Sequence, residues 1–204
     1  MAAKQAIGHR VCRLVLVRHA IAEGDGRFQG QRDVPLTAEG RRQLGELARK
    51  LSRYPIRAVY SSDLCRARAT AEAAAGELGA KIEMRSGLRE MHFGCWQGMS
   101  WRQIARRYPR LSALWIKRFP QQQIPSAERF DQFVRRVRRE IRNLIAVNQG
   151  LCVLAVTHAG VIRVALARAL GMHVRNLFRL ALDPCAVNVI DYFEDGALVR
   201  GVNG

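Results

Sequence analysis

The chain alternates short apolar runs with amphipathic stretches, and two of the runs end alike. Residues 11–20 read VCRLVLVRHA and stop at Arg18-His19; residues 151–160 read LCVLAVTHAG and stop at His158. Short, continuously apolar runs of this kind predict central strands covered on both faces. After the first run, Leu44, Leu47 and Leu51 recur at helical spacing behind a Thr37 N-cap, with Tyr54-Pro55 as the stop. Residues 57–60 predict a short strand. Ser61-Ser62-Asp63 then predicts the N-cap of an alanine-rich helix reaching about Leu78, and residues 81–84 another short strand. Residues 101–119 predict one or two short helices broken at Pro109. A long helix follows over about 127–148. Phe130, Phe133, Val134, Val137, Ile141, Leu144 and Ile145 form its apolar stripe, with Arg135, Arg136, Arg138, Arg139 and Arg142 mainly opposite. Past His158 a last helix places Val161, Val164, Leu166 and Leu170 inward and ends at Gly171. Residues 186–193 and 197–202 alternate as two strands around a Glu194-Asp195-Gly196 hairpin turn. Strands interleaved with helices predict an α/β fold around a mainly parallel sheet. No linker-like shift in composition and no repeat interrupts the chain, so residues 1–204 read as one domain.

That architecture gives the two histidines a meaning. In open α/β sheets, ligands sit just beyond the carboxyl ends of the strands, so His19 and His158 could face each other across one pocket. The loop after His19 is glycine-rich: Gly24, Gly26 and Gly30 allow close backbone approach to a ligand. Arg27 and Gln29 lie beside them as candidate substrate contacts, together with Gly30. Ala159, which opens the helix after His158, is a fourth. Arg66 falls in the first turn of the second helix, where the helix end and a guanidinium together would make an anion site. Glu90 lies among Met91, Phe93 and Trp96 in LREMHFGCWQG, a setting for a proton donor; His92 reads as its neighbour.

Composition narrows the partners. Of 204 residues, 49% are hydrophobic and 25% charged, an ordinary soluble balance. No apolar run approaches the ~20 residues of a membrane span, and no signal-like segment precedes the first strand, so no membrane and a cytoplasmic location are expected. Five cysteines show neither CxxC pairing nor metal-ligand spacing and read as reduced, structural thiols. The net charge is +17, nearly all of it arginine. It would steer a small phosphorylated metabolite inward. The most basic stretch, on the long helix, has no interleaved aromatics to stack on bases, so a solvated face is expected there and not a nucleic-acid site. The composition leaves a homodimer open.

The chemistry on offer is therefore two histidines, two arginines (Arg18 and Arg66) and the glutamate at position 90. No Walker-type GKT or GKS sequence and no metal cluster is present, so no cofactor and no metal are expected. Arginine forks match phosphate oxygens. Each charge pair at ~4 Å is worth about 4 kcal/mol at an effective dielectric of about 20. A neutral histidine is a competent nucleophile. A glutamate can give a proton to a leaving oxygen and then take one from water. Three readings share these groups: a phosphomonoesterase, a mutase that returns the phosphoryl group to a sugar acid, and a non-catalytic polyanion-binding protein.

The segments RHA, GRFQGQRDVPLTAEG, SSDLCRARATAE, LREMHFGCWQG and VTHAG, in that order, resemble the histidine phosphatase (phosphoglycerate mutase-like) superfamily. The resemblance implies a three-layer α/β/α sandwich. It implies His19 as the phosphorylated nucleophile, Arg18, Arg66 and His158 as the phosphate pocket and Glu90 as the proton donor, acting without metal. Within the superfamily, EMHFGCWQG, PSAERFDQFVRRV and LFRLALDPCAVNVIDYF are similar to α-ribazole-5′-phosphate phosphatases of cobalamin synthesis; broad-specificity phosphatases share these features. The chain departs from the pattern in places. Ala20 stands for the usual glycine, and Ser126-Ala127 for small glycines. The loop after His19 is short. It carries Glu23 and Asp25 where an asparagine is usual, and their carboxylates are expected to point away from the phosphate. The short segment between Glu90 and His158 leaves little chain for a lid, which favours hydrolysis over transfer.

Overall fold

The computed structural model describes residues 11–204. Strands β1 (Cys12–Arg18), β2 (Ile56–Ser61), β3 (Ile82–Met84), β4 (Cys152–Thr157), β5 (Val187–Tyr192) and β6 (Ala197–Gly201) form one sheet ordered β3-β2-β4-β1-β5-β6. The first four are mutually parallel; at one side β5 pairs antiparallel with β1, and β6 antiparallel with β5. The helices are α1 (Ala38–Leu51), α2 (Cys65–Leu78), α3 (Trp101–Arg107), α4 (Pro109–Arg118), α5 (Phe130–Val147) and α6 (Ala159–Ala169). None is long and apolar enough to cross a membrane among the described residues.

Side chains alternate across β1 and β4, as the pleat requires, and that alternation divides the core. Leu14 and Leu16 on β1, with Val153 and Ala155 on β4, pack with Phe133, Val137 and Val161 of α5 and α6. Val15, Val17, Leu154 and Val156 pack on the other face with Leu47, Leu51, Ala67 and Ala71 of α1 and α2. The result is helices on both faces of a mostly parallel sheet. A third cluster lies outside this sandwich: Trp96, Ile104 and Ile124 are buried between the chain after Glu90 and α3. The segment expected to leave little for a lid thus builds two short helices instead. Their Trp101 and Trp115 rings, with Trp96, lie within about 6 Å of Phe28 in the loop after His19.

Two local expectations need correction. The cap of α2 is not Ser61-Ser62-Asp63: the helix starts at Cys65 behind Leu64, and the carboxylate of Asp33 accepts from the Cys65 amide at 2.6 Å. Asp63 is engaged by Arg89 through two 2.6 Å bonds instead. Leu170 is not inward; it caps α6 at 52% exposure, because the chain already turns into Gly171. The cysteines are free thiols, and burial pushes Cys12 and Cys185 up to about 11, which leaves them uncharged.

Candidate active site

Register builds the site. Arg18 on β1 pairs with Thr157 on β4, so the next residues of each strand, His19 and His158, emerge side by side. The His19 amide donates to the Thr157 carbonyl at 2.9 Å, and the two rings meet edge to face with centroids 5.1 Å apart. Both are almost wholly buried.

The hydrogen bonds around His19 fix its tautomer. Nδ1 lies 2.7 Å from the carbonyl oxygen of Ala20, which can only accept, so Nδ1 carries the proton. Nε2 therefore presents its lone pair, toward which Arg66 Nε–H points at 3.2 Å. Burial, with the Arg66 charge beside it, pushes the His19 pKa down to about 3. His158 is driven the same way, first by burial and then by Arg66. Both rings are neutral near pH 7. Each folded-state value lies below the unfolded one of ~6.5, so between these limits the unfolded chain binds more protons. Stability is full above pH ~6.5 and falls as pH drops. Between pH 6.5 and 5 the loss is about 2 kcal/mol for His19 alone. Urea unfolding at pH 7 and pH 5 should show this fall, with the slope reduced by about one proton in His19→Asn. An unchanged slope would mean that His19 is not held neutral.

Arg66 is 1% exposed. Its Nη1 donates to Arg32 O and its Nη2 to Gly30 O, both at 2.7 Å. The helix end of α2 is occupied by Asp33, so it is the guanidinium, not the helix terminus, that faces the histidine. Gly30 holds its carbonyl there with φ +55°, and a Cβ would meet Met91 O at 2.9 Å and the Gln97 side chain. Gly30→Ala should therefore displace the Arg66 anchor, lowering kcat/KM at least tenfold and stability by about 1–3 kcal/mol. Thermal melts and steady-state kinetics check this, and wild-type values in both would remove Gly30 from the site.

Arg18 gives Nη1 to Leu182 O at 2.7 Å, and its Nε is buried without a partner, as is Nδ1 of His158. An unpaired guanidinium N–H beside a cavity is what an added anion would satisfy. His158 Nε2 lies 2.9 Å from Ser62 Oγ. Glu90 sits across the cavity, where its Oε1 accepts from the Met91 amide at 2.9 Å and its Oε2 from the Gly160 amide at 3.0 Å, at the start of α6. Gly160 has no side chain for a steric reason: a Cβ would run into the Glu90 carboxylate.

These groups line one cavity of about 420 Å³. Arg18, His19, Arg27, Gln29, Gly30, Arg66, Glu90 and Ala159 all line it; His158, its ring centroid 5.1 Å from that of His19, is not among the lining residues. Gln29 spends its Nε2 on the Glu23 and Gly24 carbonyls, and Arg27 reaches over to Gly98 O and Gln103 Oε1. One expectation is overturned: Asp25 does not point away. Its carboxylate lies 3.4 Å from Arg18 Nη2, and Asp25 and Glu23 both belong to the cavity wall, because the short loop turns back over the strand end. His92 is a neighbour, accepting from the Gly94 amide.

Two arginines escaped notice in the sequence. Arg163 of α6 lines the cavity and lies over the Phe178 ring at 5.4 Å. Arg136 is not on the solvated face of α5: it grips Glu128 at 2.7 and 2.9 Å and donates to the carbonyls of Gly87, Arg89 and Glu90. It thereby fixes the backbone that carries the acid. Among the described residues, no group of three or more His, Cys, Asp or Glu side chains is placed to hold a metal.

A profile of the histidine phosphatase superfamily (branch 1) matches residues 14–204. A bifunctional protein of Mycobacterium tuberculosis is 36% identical over 195 residues, covering 94% of this chain. The chain spans 53%, about half, of that protein's length. The adenosylcobalamin/alpha-ribazole phosphatase of Salmonella typhimurium is 31% identical, covering 94% of this chain and 96% of its own. The crystal structure of the alpha-ribazole phosphatase from Shigella flexneri superposes with a TM-score of 0.85 at 28% identity, covering 94% and 96% of the two chains.

Proposed function

Because the chain belongs to the histidine phosphatase superfamily, we propose that it hydrolyses a small phosphate monoester through a phosphohistidine on His19. The observation that carries this reading is the state of His19. Its Nε2 is unprotonated, with its lone pair held by nothing more than the Arg66 Nε–H at 3.2 Å, and the ring lines a cavity shared with Arg18, Arg66 and Glu90. Nε2 attacks phosphorus as the ester oxygen leaves, and that oxygen takes the proton held by Glu90. A water molecule then attacks phosphorus while Glu90 takes its proton. The P–N bond breaks, and inorganic phosphate and neutral His19 are regenerated. Arg18 and Arg66 offset the charge on the phosphoryl oxygens, the task a metal performs elsewhere. His158, its ring edge to face with that of His19, steadies it.

The substrate we favour is α-ribazole-5′-phosphate, in cobalamin synthesis. Support comes from the names of the Salmonella and Shigella relatives, which the chain matches along nearly their whole length. Steady-state hydrolysis in EDTA should be measured on α-ribazole-5′-phosphate, 3-phosphoglycerate, a sugar phosphate, a nucleotide and an aryl phosphate. A kcat/KM for the first at least a hundredfold above the others supports that role. Similar values throughout indicate a general phosphatase. No turnover on any of them overturns the enzymatic reading in favour of a polyanion-binding protein.

A further inference from the structure

Two carboxylates in the cavity wall have no part in the hydrolytic steps. We propose that Asp25, seconded by Glu23, determines specificity: it admits phosphate monoesters of neutral, hydroxyl-bearing alcohols and turns away those carrying a second anion. This rests on the phosphatase reading above and names the substrate class of the same site.

The argument is one of charge and placement. Four arginines (Arg18, Arg27, Arg66, Arg163) and three carboxylates (Glu23, Asp25, Glu90) line the cavity, leaving one net positive charge. A phosphate dianion already outweighs that charge. A further negative charge on the leaving group then meets a wall with no surplus. Asp25 is 49% exposed, at the mouth and not among the buried groups, and its partner is Arg18 at 3.4 Å. It thus sits where the ester's alcohol would extend once phosphate occupies the space beside His19 and Arg18. The two arginines able to answer a second anion are each partly committed. Arg27 Nη1 is held by Gly98 O and Gln103 Oε1, and Arg163 Nε by Leu180 O. The remaining wall is apolar: Phe28 and Phe93 meet edge to face at 5.1 Å, and Phe178 lies beside them in the same lining. Carboxylates accept hydrogen bonds from hydroxyls and repel carboxylates, while phenyl faces receive an uncharged ring or chain. A sugar carrying an apolar base meets all of these conditions; a phosphorylated sugar acid offers hydroxyls but brings a carboxylate against Asp25 and nothing apolar for the phenyl faces.

Glycerol 3-phosphate and 3-phosphoglycerate provide the test, since they differ chiefly in a terminal hydroxymethyl against a carboxylate. The ratio of their kcat/KM values cancels any general change in phosphate affinity caused by releasing Arg18. Wild-type protein is expected to favour glycerol 3-phosphate. Asp25→Asn should shift the ratio toward 3-phosphoglycerate by about three- to tenfold, the range for a charge pair at a partly solvated mouth. Asp25→Glu should restore it, and high salt should shrink it in the wild type. Asp25→Ser serves if the asparagine variant does not fold. A ratio moved less than twofold by both Asn and Ser, with both substrates turned over, overturns this proposal alone. A wild-type preference for 3-phosphoglycerate does the same. No turnover of any phosphate monoester overturns the phosphatase reading, and this one with it.

Discussion

His19→Ala is expected to lower kcat/KM by more than ~10⁴-fold, as removal of an enzyme's nucleophile does. Nothing in the cavity replaces it. His158 is the neighbouring imidazole, but its Nε2 is committed to Ser62 Oγ at 2.9 Å. The loss should not be a folding defect. The deleted ring makes one backbone hydrogen bond, to Ala20 O, and in the folded chain it is a histidine forced to stay neutral. The variant should therefore melt close to the wild type, and relatively better in mild acid. Rapid acid-free quenching of wild-type turnover with labelled substrate should trap a phosphorylated enzyme that is stable to base and labile to acid; the alanine variant should trap none. Retention of even a hundredth of the wild-type rate in a clean preparation would mean that His19 does not carry the phosphoryl group.

Glu90→Gln is the second large effect, about 10²–10⁴-fold on alkyl phosphates, whose leaving oxygen needs a proton. Aryl phosphates leave as stabilised phenolates and should lose much less. The wild-type geometry adds a second consequence. Both carboxylate oxygens accept from backbone amides, of Met91 and Gly160. A glutamine has one oxygen, so its NH2 group must confront one of those N–H donors and the side chain must turn. Gly160→Ala, whose new Cβ would displace the carboxylate, should reproduce the same leaving-group dependence with Glu90 intact. Equal losses on alkyl and aryl substrates would show that Glu90 is not the acid.

Much of this site was visible in the bare sequence, for a reason that concerns β1 and β4. A strand buried on both faces is written as an uninterrupted apolar run, and a polar residue at its end is conspicuous. Arg18-His19 and His158 announce themselves in that way, and the parallel register that makes them adjacent follows from the fold class. Other features depend on contacts between distant segments and leave no such trace. Arg136 sits between Phe133 and Val137, at the border of the apolar stripe of α5. Its stem lies along the core while its head turns to the backbone of Gly87, Arg89 and Glu90. Its border position was the available signal. Asp33 caps a helix that begins thirty-odd residues later in the chain; Ser61-Ser62-Asp63 was the local candidate, and a tertiary partner displaced it. Leu170 keeps the helical period but lies one residue past Ala169, the last of α6, where the chain turns into Gly171. Asp25 turns toward the site because Arg18 attracts it, a contact that repulsion from phosphate alone does not predict. The pair of short helices after Glu90 was read correctly as elements. Their hold on Phe28, through Trp96, Trp101 and Trp115, required knowing where the loop after His19 would lie.

The anchoring of Arg66 bears on the time course of turnover. Its two terminal nitrogens are already committed to Gly30 O and Arg32 O, so the guanidinium has no rotamer search to make when a phosphate arrives. The ordering entropy of a long, flexible side chain, up to about 2 kcal/mol, was spent in folding and not at each encounter. Capture should accordingly be a single diffusional phase, with no slow isomerisation behind it. Product departure should then depend on the strength of the ionic grip and not on any loop reopening. Added salt should hasten that departure, whereas a viscosogen should slow capture and release together.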